Sequence, residues 1–326
     1  MLKKLELDVL NADLGTVQSL LDSRTKEDDP IGYFQFSSRL KNIQEKISQV
    51  VNRQIKHAEL GVFFGGGPVQ GSRGINADFA GKTLDDFQAL ISKRFSEREN
   101  GALKQRGRLP LADHSQMIVT DVMRGSFGFI LEESGDTEEI IDTPLKEIVD
   151  EVSDILLRAG AIEEAVFEEA ASELDSRMLV TLKQLFLRLD DEQATLRIVS
   201  GDRDFLLDRN AISLARTRIQ ELEIDEHGDE FVGTLFLLPQ SRRFDFFTQI
   251  NGEKTVLKGS VGPEVLKQLS GEQDFSEPAV DVRTITTHTW RVEIKTREIR
   301  ERNRVPRKVY TLSRLKTPED VKIEQS

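Results

Sequence analysis

The chain has 326 residues and a formal charge of −12, with 38% hydrophobic and 31% charged residues. That length exceeds one hydrophobic core, so two or three domains are expected. The composition is too apolar for disorder, and the apolar runs are too interrupted for a membrane-spanning helix. No cysteine is present, which removes disulfides, thiolate nucleophiles, iron–sulfur clusters and zinc ribbons. The four histidines, His57, His114, His227 and His288, are scattered, so neither a metal centre nor a cofactor is expected. The opening Met1 to Asp8 turns acidic at once without a long apolar run, so no secretory leader is expected and a cytoplasmic location is.

In chain order, Leu10 to Leu21 reads as an amphipathic helix. Asp29-Pro30 opens a second one that carries Leu40, Ile43, Ile47 and Val50 at helical spacing. His57 to Phe64 alternates as a strand. The glycine-rich loop Gly65 to Gly74 follows, and Ile75 to Ala80 is expected to return as its hairpin partner. Thr83 to Asp86 then opens a helix with Phe87, Leu90, Ile91 and Phe95, closed at Asn100-Gly101. Met117 to Val122 and Phe127 to Leu131 form a second hairpin around Arg124-Gly125-Ser126. Three helices are expected between Thr143 and about Asp190, the second strongly acidic from Glu163 to Glu173.

The last third reads as β-structure. Expected strands are Ala194 to Val199, Glu221 to Glu226, Phe231 to Leu238 (after a turn at His227-Gly228-Asp229), Arg243 to Ile250 and Thr255 to Val261. Val280 to Ile285, Thr289 to Ile299 and Val305 to Leu312 follow. Asn251-Gly252 is a hairpin turn, because both residues tolerate positive φ. Short helices are expected near 208–217 and 263–269. The fold class is therefore α+β: N-terminal helices (1–56), a small β-hairpin/helix/β-hairpin module (57–140), central helices (141–192), a small C-terminal β-barrel of SH3-like or OB-like kind (193–316) and a polar tail (317–326).

Three features carry candidate chemistry. In the glycine-rich loop, Gly66, Gly67 and Gly71 free backbone N–H groups for an anion, and Ser72, Arg73 and Arg124 are expected to supply a hydroxyl and guanidinium groups. The loop lacks the lysine and spacing of a nucleotide-binding P-loop. A turn-forming connection is the plainer reading. The second feature is the late hairpin with Arg291, Lys295, Arg297, Arg300, Arg302, Arg304, Arg307 and Lys308. Such a ribbon suits an anionic partner, either an acidic protein face or nucleic acid, or the chain's own acidic helix. Third, Asp202, Asp204 and Asp208 cluster without the glycine and terminal glutamate of a calcium loop. Trp290 and the run Phe244, Phe246, Phe247 read as core.

These readings lead to the expectation of a non-enzymatic binding or assembly protein. It would contact a protein partner or a second copy, with nucleic acid as a further possibility and no membrane. An enzyme or sensor that binds a phosphorylated small molecule at the glycine-rich loop is the alternative.

Overall fold

The computed structural model describes residues 2–101, 107–123, 127–135, 141–201, 203–238, 241–270, 288–302 and 304–319. Its helices are α1 (Lys3–Asp22), α2 (Pro30–Asn52), α3 (Ala77–Asn100), α4 (Pro144–Ala159), α5 (Glu164–Ser172), α6 (Ser176–Asp191), α7 (Arg209–Glu221) and α8 (Pro263–Ser270). The strands are β1 (Glu59–Gly66), β2 (Val69–Gln70), β3 (Gly74–Ile75), β4 (Met117–Met123), β5 (Phe127–Glu133), β6 (Ala194–Ser200), β7 (Arg203–Leu207), β8 (Glu223–Leu238), β9 (Arg243–Ile250), β10 (Glu253–Val261), β11 (Thr289–Arg300) and β12 (Arg307–Glu319). The architecture is α+β with a closed C-terminal barrel, as the sequence predicts. The chain divides into two compact units: residues 1–84, 115–157 and 188–212 form one, and residues 85–114, 158–187 and 213–326 form the other.

Short polar side chains start several of the helices. The Asp29 carboxylate accepts from Gly32 N at 2.9 Å, Asn76 Oδ1 from Phe79 N at 3.1 Å, and Asp208 Oδ1 from Ala211 N at 2.8 Å. Each satisfies a backbone donor that has no partner within its own helix. The cap at Asn76 corrects one expectation. Residues 77–80 begin α3 rather than a strand, and β3 retains only Gly74–Ile75, paired with the equally short β2.

In the first unit, five antiparallel strands lie in the order β4-β5-β1-β6-β7. β1 is the central strand, and Leu60 to Phe64 are buried without alternation because both faces of the sheet are covered. Phe63, Ile130 and Val199 pack with Leu2, just ahead of α1, and with Leu5 of α1 on one face. On the other, Phe64 meets Phe79 edge to face at 5.3 Å and Phe129 at 6.4 Å. β1 therefore pairs with β5 and β6 rather than with the segment after the glycine-rich loop. β6, grouped by the sequence with the later strands, belongs to this sheet.

The second unit is built around the barrel β10-β12-β11-β8-β9. Leu235, Phe244, Phe246, Leu257, Trp290, Val292, Ile294 and Leu312 fill it. Asn251 and Gly252 hold φ values of 53° and 85° in the β9–β10 turn, as expected there. Two expectations change. No turn forms at 227–229: β8 runs unbroken for 16 residues because β11 pairs with it from Glu223 to Thr234. β12 continues to Glu319, past the expected end of structure. The strand expected at 280–285 and the turn at 124–126 lie outside the described residues.

Trp290 is the chain's single tryptophan and is 4% exposed in the barrel core. Its native emission should be blue-shifted and shielded from iodide, turning red as the barrel opens in urea. Trp290→Ala should cost about 3–5 kcal/mol of stability by chemical denaturation. Iodide quenching as efficient as that of free tryptophan would refute this placement.

Candidate functional site

The basic hairpin is where the sequence placed its main site, and within the second unit its charges are already engaged. Arg297 is 9% exposed. Its guanidinium reaches Glu97 on α3 at 2.8 Å, Glu226 on β8 at 3.3 Å and the Ser172 carbonyl at the end of α5 at 3.4 Å. Lys295 Nζ lies 2.6 Å from the Glu226 carboxylate, whose side chain is only 4% exposed. Farther along, Arg300 pairs with Asp225 at 2.8 Å and Glu298 at 2.9 Å. Arg304 grips Glu164 at 3.0 Å, Glu301 at 3.3 Å and Glu168, while Arg307 reaches Glu168 at 3.3 Å and also Glu301. Arg291 faces Glu230 at 3.8 Å. Arg302 and Lys308 are exposed and have no ion pair among the described residues.

The acidic helix α5 is thus one neutralising surface for the hairpin. Glu164, Glu168 and Glu301 approach one another closely enough to share a cation. Arg304 and Arg307 already supply the positive charge there. Arg218 adds to the same surface, 3.1 Å from Glu164 and stacked over Phe167 at 5.2 Å.

Beside Arg297 sits a carboxylate that the sequence reading missed. Asp175 is 2% exposed and caps α6, accepting from Met178 N at 2.6 Å. Its second oxygen is buried without a hydrogen bond. Burial pushes its pKa above the ordinary 3.8; Glu97 and Glu226 raise it further, while the Met178 N–H and Arg297 oppose the rise. The sequence signal was available in Asp175-Ser176, an N-cap pattern ahead of the Met178, Leu179, Leu182 stripe.

The glycine-rich loop lies in the first unit, and its geometry meets backbone demands. Gly66 has φ +81°, and a Cβ there would lie 2.2 Å from the Gln193 carbonyl oxygen. One at Gly67 would lie 2.2 Å from the Glu192 carbonyl oxygen, and Gly67 N donates to Gln193 O at 3.3 Å. Gly71, Ser72 and Arg73 form the exposed tip of the β2–β3 ribbon, closed by Arg73 N donating to Gln70 O at 3.0 Å. The N–H groups of Gly67 and Arg73 therefore bond within the chain, and Arg124 lies outside the described residues. Of the aspartate cluster, Asp204 forms a two-point pair with Arg197 (2.8 and 2.7 Å), which holds its carboxyl below the usual range. Asp208 caps α7, and Asp202 is outside the described residues.

Elsewhere in the first unit a polar cleft of about 650 Å³ opens beside Lys3, Arg53, Glu59 and Lys146. Its cations are tied down. Lys3 Nζ donates to the carbonyls of Val51 (2.9 Å) and Arg53 (3.0 Å), Lys146 Nζ to that of Ile55 (2.6 Å), and Arg53 pairs with Glu6 at 2.9 Å. Burial raises the Glu59 pKa, and the Lys3 N–H at the start of α1 partly offsets this.

The barrel exterior presents a different surface. Val232, Phe236, Leu238, Phe247 and Val256 are 38–57% exposed on three adjacent strands. Phe247 lies between Thr234 and Val256 in register, and its ring meets Phe236 edge to face at 5.2 Å. The sequence assigned Phe247 to the core with Phe244 and Phe246. Strand alternation instead turns it outward, and its neighbours remain fully buried. No protein-family model, curated protein or solved structure matches this chain.

Two outcomes follow from the charge geometry. Glu226→Ala should cost about 3–5 kcal/mol because it strands two nearly buried cations, whereas Arg304→Ala on the solvated side should cost about 1 kcal/mol or less. Urea denaturation compares the two, and equal costs would contradict the burial gradient. For Asp175, the raised folded pKa means that, between 3.8 and that pKa, the unfolded chain gives up its proton before the native state does, so its contribution to stability falls as pH rises through this window. Asp175→Asn keeps the cap and removes the charge. It should therefore melt higher than the wild type at pH 7, with the gap closing toward pH 4, whereas a pH-independent gap would refute this.

Proposed function

We propose that the chain is a non-enzymatic binding and assembly protein that contacts a protein partner through the outside of its barrel. The observation that carries this reading is the apolar strip on β8, β9 and β10, with two half-exposed phenylalanines in contact. Exposed aromatic pairs on a rigid sheet combine a large apolar area with little side-chain entropy to lose on binding. The basic hairpin plays a supporting part: Arg297, Arg304 and Arg307 hold the barrel ribbon to α3 and α5, leaving Arg302 and Lys308 for an anionic contact.

Photo-crosslinking in living cells tests the reading. A benzophenone side chain at Phe247 should yield a discrete adduct with another protein, which Phe236→Ser on the same chain should abolish. The same group at Lys308 should yield none. Adducts from position 308 but not 247 would return the contact to the basic hairpin, and their absence from both would overturn the proposal.

A further inference from the structure

Resting on that reading, we infer that the strip receives an amphipathic helix whose apolar face is flanked by carboxylates. The strand register places the outward side chains on a grid. Across β8, β9 and β10, one row holds Thr234, Phe247 and Val256; the next holds Phe236, Asp245 and Lys258, and the next Leu238, Arg243 and Ser260. The apolar positions form a diagonal from Val256 through Phe247 and Phe236 to Leu238. With strands about 4.8 Å apart and residues about 3.3 Å apart, this diagonal is roughly 16 Å long. That is the length of a helix of about 11 residues, whose side chains at i, i+3 or i+4, and i+7 present a stripe of matching width.

The flanks decide the charge of the occupant. Arg243 sits opposite Leu238, and Lys254 is the outward residue beside Val256 on β10. Both are exposed and have no ion pair among the described residues. Lys258, paired with Asp245 at 3.2 Å, is still 70% exposed. This is a locally basic frame on a chain of net charge −12. It favours a partner with acidic edges, which lysines and arginines at an interface rim attract and hold in register.

Size argues against a second copy of the chain. The five side chains expose on the order of 400 Å². A standard interface between folded proteins takes about 800 Å² from each partner, so the strip suits a single helix better than a second globular surface. The net acidity of the chain also opposes self-pairing.

The test is a selection of random 16-residue peptides, displayed on phage, against the intact protein. Winners are then synthesised with a fluorophore and titrated by anisotropy. Winners should carry apolar residues at helical spacing with aspartate or glutamate beside them. Their affinity should fall at least tenfold on Phe247→Ser, and about as much on Arg243→Glu combined with Lys254→Glu; circular dichroism and melting of both variants should stay as in the wild type. Winners without acidic flanks, or unaffected by the charge reversal, would overturn the inference while leaving the binding surface intact. Winners indifferent to Phe247→Ser, or no winners, would overturn both. Sedimentation showing a wild-type dimer that Phe247→Ser dissociates would assign the strip to a second copy and overturn the inference.

Discussion

The buried pairing of Arg297 with Glu97 and Glu226 is the constraint on which the second unit depends. A guanidinium at this burial is stable only if several acceptors surround it, and these come from α3, β8 and the end of α5. The requirement fixes where the long β8–β11–β12 ribbon ends relative to those helices. An apolar contact of the same area could slide by one residue pair. A guanidinium with directional bonds to three elements cannot do so without leaving carboxylates unpaired. Asp175 shows the cost of this arrangement: one carboxylate in the cluster has a buried oxygen without a partner, and its ionisation is disfavoured.

The same pairing explains why charge read along the sequence is a poor guide to which charged surfaces are free. Read along the sequence, acid gathers at 163–173 and base at 291–308, and the two look like separate surfaces. Arg297 and Glu97 are 200 residues apart, and Arg304 and Glu168 are 136 apart, yet each pair is in contact. Complementary clusters of similar size within one chain are as well suited to meet each other as to meet a partner. Deciding between the two requires the fold, because only topology brings α5 to the ribbon.

Local signals were legible, and long-range ones were not. Asp29-Pro30, Asp208 and Asn251-Gly252 act within a few residues of themselves, so their roles could be read directly. The start of α3 was misplaced because Asn76 caps it from within a segment whose Ile75 and Phe79 also suit a strand. The partner of β1 was misassigned for a different reason. Five consecutive buried residues identify a central strand, but β5 and β6 compete equally well on local pattern with the nearer segment. In β8, His227-Gly228-Asp229 has turn composition, and cross-strand pairing to β11 overrides it.

The glycines of the loop illustrate how a functional pattern can have a structural cause. Closely spaced glycines suit an approaching phosphate because they carry no Cβ, and for the same reason they suit an approaching backbone. At Gly66 and Gly67 the approaching group is the carbonyl pair of Glu192 and Gln193. The barrel shows the converse, an exposed apolar pair hidden by a core-like run of sequence. Phe247 follows Phe246 in sequence and looks like more core, yet neighbouring residues of a strand must face opposite sides. Where its five strands close on one another, the barrel has no free edge to offer for strand addition. On that closed part, what the barrel offers is side chains on its outer surface, where Phe236 and Phe247 stand.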